Sequence, residues 1–165
     1  MLLGVVAAAL AACSFSNLAF AADHRLRFLS PPNRALVVTP VTLRWAISDF
    51  TVTPPGQSPP SPASGYFGIF VDRVPIRPGQ TLADVAGGDQ SCKRTAGCPD
   101  AQYLAAREVY ATARTSFTLT QVSQLSARQR VQTHQVTVVL LDSGGHRIGE
   151  AAWYREFRLK RRSSP

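Results

Sequence analysis

The stretch "HQVTVVLLDSGGHRIGEAAWYREFRLK", His134–Lys160, decides the fold. From His134 to Asp142 it is apolar at odd and even positions alike and rich in β-branched residues. A strand buried on both faces has that composition. "DSGGHRIGE" then supplies the Asp and Gly that tight turns use. The last part alternates: Trp153, Phe157 and Leu159 fall on one face, and Tyr154, Glu156, Arg158 and Lys160 on the other. That period of two is a half-buried strand. Together the three parts predict a central strand, a turn and an amphipathic partner.

The same two patterns recur upstream. "VTLRWAI" puts Val41, Leu43, Trp45 and Ile47 on one side and Thr42, Arg44, Ala46 and Ser48 on the other. "HRLRFL" sets Leu26 and Phe28 against Arg25 and Arg27, and "SFTLT" alternates through Phe117 and Leu119. "YFGIFVD" (Tyr66 to Asp72) is the second two-sided run. Between the strands lie long irregular segments. "TPPGQSPPSPASG" (Thr53 to Gly65) is too rich in Pro and Ser for regular structure. The segment from about Leu82 to Glu108 holds two cysteines and a short helical stretch, "DAQYLAARE". Short strands separated by turn-rich loops predict an all-β protein, an antiparallel β-sandwich of about seven strands with long loop insertions.

Bulk composition agrees. A chain of 165 residues fits one domain. With 45% hydrophobic and 17% charged residues, it can bury a core. The net charge of +8 favours anionic partners. Residues 24–160 are read as the domain, and 161–165 as a basic tail.

Residues 1–22 read as a targeting segment with three alternatives. Leu2 to Ala12 has the length of a signal-peptide apolar core, and Ala19 and Ala21 fit cleavage before Ala22. Leu10-Ala11-Ala12-Cys13 looks like a lipobox, in which Cys13 would be lipidated. Met1 to Ala22 is also long enough to stay as a membrane anchor. All three predict an extracytoplasmic domain, in the periplasm, at the cell surface or secreted. Outside the cytoplasm a cysteine pair is normally oxidised. Cys92 and Cys98, in "SCKRTAGCPD", are therefore expected to form a disulfide. A zinc site would need further ligands nearby, and a redox pair usually has two intervening residues rather than five. Closing so short a loop is worth roughly 2 kcal/mol on the chain-entropy model.

"TPVTLRWAISDF", "GYFGIFVDR", "SFTL" and the His134–Leu159 stretch resemble the B, C, E, F and G strands of bacterial immunoglobulin-like or fibronectin type III-like domains. The resemblance covers roughly His24 to Lys160. His134 stands where such domains usually carry a Tyr before the penultimate strand, and the cysteines share one loop instead of bridging two sheets. The resemblance implies a non-catalytic exported domain, a binding or structural module at the cell envelope. Its partner would be an envelope protein or an anionic surface polymer, with membrane contact through the N-terminus if that is retained or lipidated.

A second resemblance is narrower. "DHRLRFLSPPNRALVVTPVTLRW" is similar to the start of periplasmic copper-resistance domains, which implies copper at His24 and at the "SGGH" turn bearing His146. Gly144 stands where that family's turn has Asp. Two features of the residues themselves bear on a metal. Cleavage before Ala22 would give an Ala22-Asp23-His24 N-terminus, whose amine, two amides and imidazole form a square-planar set for Cu(II) or Ni(II). Asp142, His146 and Glu150 also gather near the last turn. The competing readings are an exposed terminal His and ordinary turn residues. Asp84, Asp89 and Asp100 lack the spacing of a calcium loop and read as caps and turns.

No Gly-x-Ser-x-Gly, no Cys–His pairing with a free thiol and no phosphate-cradling glycine loop is present. The chain is therefore not read as an enzyme. Nucleic-acid binding is disfavoured by location. Arg155, Arg158, Lys160, Arg161 and Arg162 form a basic C-terminal cluster, either a contact for an anionic surface or a solvated strand face and tail.

Overall fold

The computed structural model describes residues 23–126 and 128–160. In chain order the strands are β1 (Leu26–Ser30), β2 (Ala35–Val37), β3 (Val41–Ile47), β4 (Thr51–Val52), β5 (Ser64–Val71), β6 (Val109–Thr112), β7 (Ser116–Leu119), β8 (Val131–Leu141) and β9 (Trp153–Lys160). Between β5 and β6 come a 3-10 turn (Leu82–Ala86) and two short helices, α1 (Gln90–Arg94) and α2 (Ala101–Ala105).

The strands form two sheets. One has the order β1-β3-β7, and the other runs β2-β9-β8-β5, with β4 and β6 also pairing with β5. The β1–β3, β3–β7, β5–β8, β5–β6 and β8–β9 pairs are antiparallel. β2 is parallel to β9, so the chain passes from the first sheet to the second between β1 and β2.

The alternation of the amphipathic strands is realised directly. Leu26 and Phe28 of β1, Val41, Leu43 and Trp45 of β3, and Phe157 of β9 are buried. They meet Phe67, Ile69 and Val71 of β5 and Val136, Val138 and Leu140 of β8 in one core between the sheets. Trp45 packs edge-on against Phe67 at 5.1 Å and Phe28 edge-on against Trp45 at 6.3 Å, the geometry that ring quadrupoles favour.

The other face of β5 and β8 is buried too. Tyr66, Phe70, Val139 and Leu141 pack with Ile76, Leu104 and Val109, contributed by the β5–β6 connection and β6. The two apolar-on-both-sides runs thus have a separate cover for each face. The long insertion is a third layer, not a solvent-exposed loop.

Three corrections follow. Nine strands are described where about seven were expected: β2 and β4 are too short to carry a period, and β6 (Val109–Thr112) follows the segment read as a loop. α1 has no apolar periodicity and is set instead by Asp89, whose side chain accepts from the backbone N–H of Ser91 and Cys92. α2, by contrast, matches the predicted helical stretch. Last, β5 begins at Ser64, inside the Pro/Ser-rich segment, because Ser64 and Gly65 pair with Thr51 and Val52 of β4. Gly65 has φ 149°, and a Cβ there would collide with the carbonyl oxygen of Leu141.

Truncating Phe67, fully buried at the centre of the core, is expected to cost about 3–5 kcal/mol. Urea unfolding of Phe67→Ala against the parent chain measures it. Gly65→Ala should also lower the midpoint, through backbone collision rather than a cavity.

Candidate functional site

The two ends of the sandwich differ. At one end the turn between β8 and β9 is held by its own polar groups. Asp142 Oδ1 accepts the backbone N–H of His146 at 2.9 Å. Gly145 has φ 86°, and a Cβ on it would stand 3.0 Å from the Tyr66 hydroxyl. The Pro-rich loop docks on this turn: Gly56 N–H donates to the Ser143 carbonyl at 2.9 Å, and the Ser143 hydroxyl donates to the Ser58 backbone carbonyl at 2.5 Å. The start of the insertion docks too, since Gly79 N–H donates to Arg147 O and Arg147 N–H to Gln80 O.

Arg147 joins these parts. Its buried guanidinium donates to the carbonyls of Ile76 (2.5 Å), Glu150 (2.7 Å) and Ala151 (3.2 Å). Burial lowers its pKa, opposed by the charge of Glu150. The long loops therefore spend much of their hydrogen-bonding capacity on one another at this end.

The disulfide lies within the insertion. Cys92 and Cys98 are bonded, with Cα atoms 5.3 Å apart. Asp89, just before Cys92, also accepts the Tyr103 hydroxyl at 2.9 Å and Arg107 Nη2 at 3.2 Å. Arg107 stacks on the Tyr103 ring with its Cζ 3.5 Å from the centroid. The N–H of Cys92 and the Tyr103 hydroxyl hold the Asp89 carboxyl below its usual range, with Ser91 and Arg107 adding to the effect. Asp100 caps α2 through Tyr103 N–H, and Asp84 Oδ2 accepts from Thr81 N–H and hydroxyl. All three aspartates take the cap and turn roles expected of them.

At the opposite end His134, 1% exposed, faces inward from β8. Its Nδ1 lies 2.6 Å from Asp72 Oδ2, and its ring stacks on Phe157 at 5.8 Å. Asp72, immediately after β5, has φ 51°, a left-handed conformation that Asp tolerates. It is held there by two further bonds with Gln135: Asp72 N–H donates to Gln135 O, and Asp72 Oδ1 accepts Gln135 N–H, both at 2.8 Å. The carboxylate accepts, so Nδ1 is the ring nitrogen that carries a proton toward Asp72.

His134 lines a cavity of about 310 Å³, with Thr39, Gln121, Arg130, Leu159 and Lys160 among its walls. Its rim is built by Gln132, also buried. The Gln132 side chain accepts Leu125 N–H at 2.8 Å and donates to the carbonyls of Ser126 and Gln129. A groove of about 470 Å³ continues past Thr120, Gln121 and Val122 to Tyr110 and Phe117. There Glu108 accepts the Tyr110 hydroxyl at 2.9 Å and Ser123 N–H at 2.7 Å. Burial and this carboxylate push the Tyr110 pKa up to about 12. The sequence signal for the His134 site was a lone His at an inward position in an apolar strand, which requires a buried partner; nothing local pointed to Asp72.

The residues nominated from sequence fall apart into groups. Asp142 and His146 come together, with Oδ1 and Nδ1 3.5 Å apart. Among the described residues no group of three or more His, Cys, Asp and Glu is placed to hold a metal ion. His24 is exposed, next to Asp23, whose carbonyl accepts the Trp153 indole N–H at 2.9 Å. Glu150 contributes its carbonyl to Arg147.

The basic cluster also divides. Arg155 shares the inward parity of Trp153 and Phe157, so it is half-buried, with its Cζ 5.2 Å from the Phe28 ring centroid and Nη2 on the Phe28 carbonyl. It does not stand with the outward cations. Arg158 is exposed and donates to Arg34 O, and Lys160 lines the His134 cavity. Cys13, Arg161 and Arg162 lie outside the described residues. Among the described residues no helix is long and apolar enough to cross a membrane. Comparison of the chain with protein-family models, with curated proteins and with solved structures finds no match.

Reducing the disulfide is expected to loosen residues 89–107 while leaving the sheets intact. Hydrogen exchange of the Cys92→Ser/Cys98→Ser variant should rise in α1 and α2 with β5, β8 and β9 unchanged. Because the Asp89 pKa is depressed, its contribution is present above the ordinary value of 3.8 and lost as pH falls below it. Exchange in α1 should therefore rise selectively on acidification in that range.

Proposed function

We propose that this chain is an exported, immunoglobulin-like binding module of the bacterial cell envelope, with no catalytic role of its own. The strand order supports the immunoglobulin-like part. β1, β3 and β7 take the places of strands A, B and E, and β9, β8, β5 and β6 those of G, F, C and C′. The insertion then lies between C and C′, where it lengthens the domain without interrupting the sandwich.

The observation that carries export is the bonded Cys92–Cys98 pair, formed in a short connection whose caps and side-chain bonds already shape it. Such pairs persist in oxidising compartments. The apolar segment at residues 2–12 supports the same location. The net charge of +8 supports an envelope protein or anionic surface polymer as partner, with Arg158 and Lys160 as outward cations of β9. The segment 1–22 adds a membrane contact if it is retained or if Cys13 is lipidated.

Fractionation of a bacterium expressing the full chain tests this. The protein is expected outside the cytoplasm, with Cys92 and Cys98 refractory to maleimide until a reductant is added. Incorporation of a palmitate label that disappears in Cys13→Ala would identify the lipidated form. Recovery from the cytosol with both thiols free overturns the reading.

A further inference from the structure

We propose that the end of the domain where β8 begins and β9 stops docks on an anionic phospholipid bilayer. The inference rests on the binding-module reading and names a membrane surface as a partner of that module.

Two kinds of side chain gather there. Among the described residues seven large apolar side chains are exposed, and four of them, Leu36, Val38, Leu125 and Val131, belong to this end. Four exposed cations, Arg128, Arg130, Arg158 and Lys160, stand among them. Strand register and side-chain bonds place the two sets together. Val131 opens β8 opposite Lys160, the last residue of β9. Leu36 of β2 lies opposite Arg158. Lys160 shares one groove with Leu36 and Val38, and the His134 cavity with Arg130. Leu125 is tied by its N–H to the side chain of Gln132, next to Val131. None of the four cations has an ion-pair partner among the described residues. Glu156, the only carboxylate of β9, is taken by Arg34, and Asp72 by His134.

The mixture selects the partner. Unpaired cations at one end of a chain of net charge +8 attract any polyanion. Exposed apolar side chains between them gain nothing from a soluble polyanion, whose surface stays hydrated. At a bilayer the cations meet phosphate headgroups, and the Leu and Val side chains reach the acyl boundary beneath. Arg and Lys suit that interface, because their stems lie along apolar surface while the charge stays at headgroup level. The contact is separate from any made by residues 1–22. Those join the domain at Asp23, whose carbonyl accepts the indole N–H of Trp153, at the opposite end of β9 from Lys160.

Co-sedimentation of the purified full chain with vesicles tests the proposal. Vesicles of phosphatidylglycerol and phosphatidylcholine in equal parts should bind it about tenfold or more tightly than vesicles of phosphatidylcholine alone, and added salt should weaken that preference. Residues 1–22 carry no charged side chain, so their own affinity for lipid does not distinguish the two compositions. Arg130→Glu/Lys160→Glu should abolish the preference with the unfolding midpoint unchanged. Lys93→Glu/Arg94→Glu, the same charge change at exposed positions of α1, should keep it. Arg128→Glu/Arg158→Glu repeats the test should the first variant fold less well. Leu36→Ser/Val131→Ser should weaken binding to the anionic vesicles about threefold or more and leave binding to polyglutamate unchanged. Equal binding to the two compositions, or an equal loss in the α1 variant, overturns the proposal. So does a Leu36→Ser/Val131→Ser variant that binds anionic vesicles as its parent does, which would assign the cations to a soluble polyanion. Vesicle binding by purified protein is independent of compartment, so a negative result beside a positive fractionation removes only the membrane partner.

Discussion

The pairing of β5 with β8 is the constraint on which the rest of the molecule depends. Six consecutive residues of β5, Tyr66 to Val71, pair with Leu141 to Val136, and all twelve are buried. Two adjacent strands apolar on both faces cannot sit at the surface of a two-layer sandwich unless something covers the outer face. One face receives Leu43, Trp45 and Phe28 from the opposing sheet. The other receives Ile76 and Leu104 from the connection between β5 and β6. The insertion's caps, its disulfide and the Arg147 clamp all serve to hold that cover in place.

That arrangement also assigns the two ends their character. At the β8–β9 turn the Pro-rich loop, the insertion and the hairpin tip bond to one another's backbone groups. At the other end β8 runs five residues beyond its last pair with β5, that of Val136 with Val71. The step leaves His134 inside the sandwich without a strand neighbour from β5, and Asp72 fills the gap with a carboxylate. A polar group at the end of an apolar core must be paired, and pairing one imidazole nitrogen leaves the other oriented.

How much of this was legible in the sequence follows from the length scale of each signal. Period-two alternation identified β1, β3, β7 and β9 with their inward residues, because each half-buried strand repeats its own environment every second position. The two-sided runs identified β5 and β8 as central. β2 and β4, of three and two residues, carry no period, and their pairing is imposed by neighbours. α1 was missed because one side chain, Asp89, initiates it. Arg155 was grouped with Arg158 by composition, although its parity already pointed it inward beside Phe157.

The sequence by itself determined the all-β character, the inward face of each long strand and the aspartate caps, because these depend on residues within a few positions of one another; the cysteine pair was read from the apolar segment at residues 1–22. Only the tertiary structure decided what covers the second face of β5 and β8, which loops occupy each other, and which residues meet at the cavity. Asp72 and His134 are 62 positions apart, and Arg130 and Thr39 lie 91 apart. No local pattern encodes such a meeting; it arises when hydrogen-bonded register and two-sided burial bring distant strand ends to the same edge.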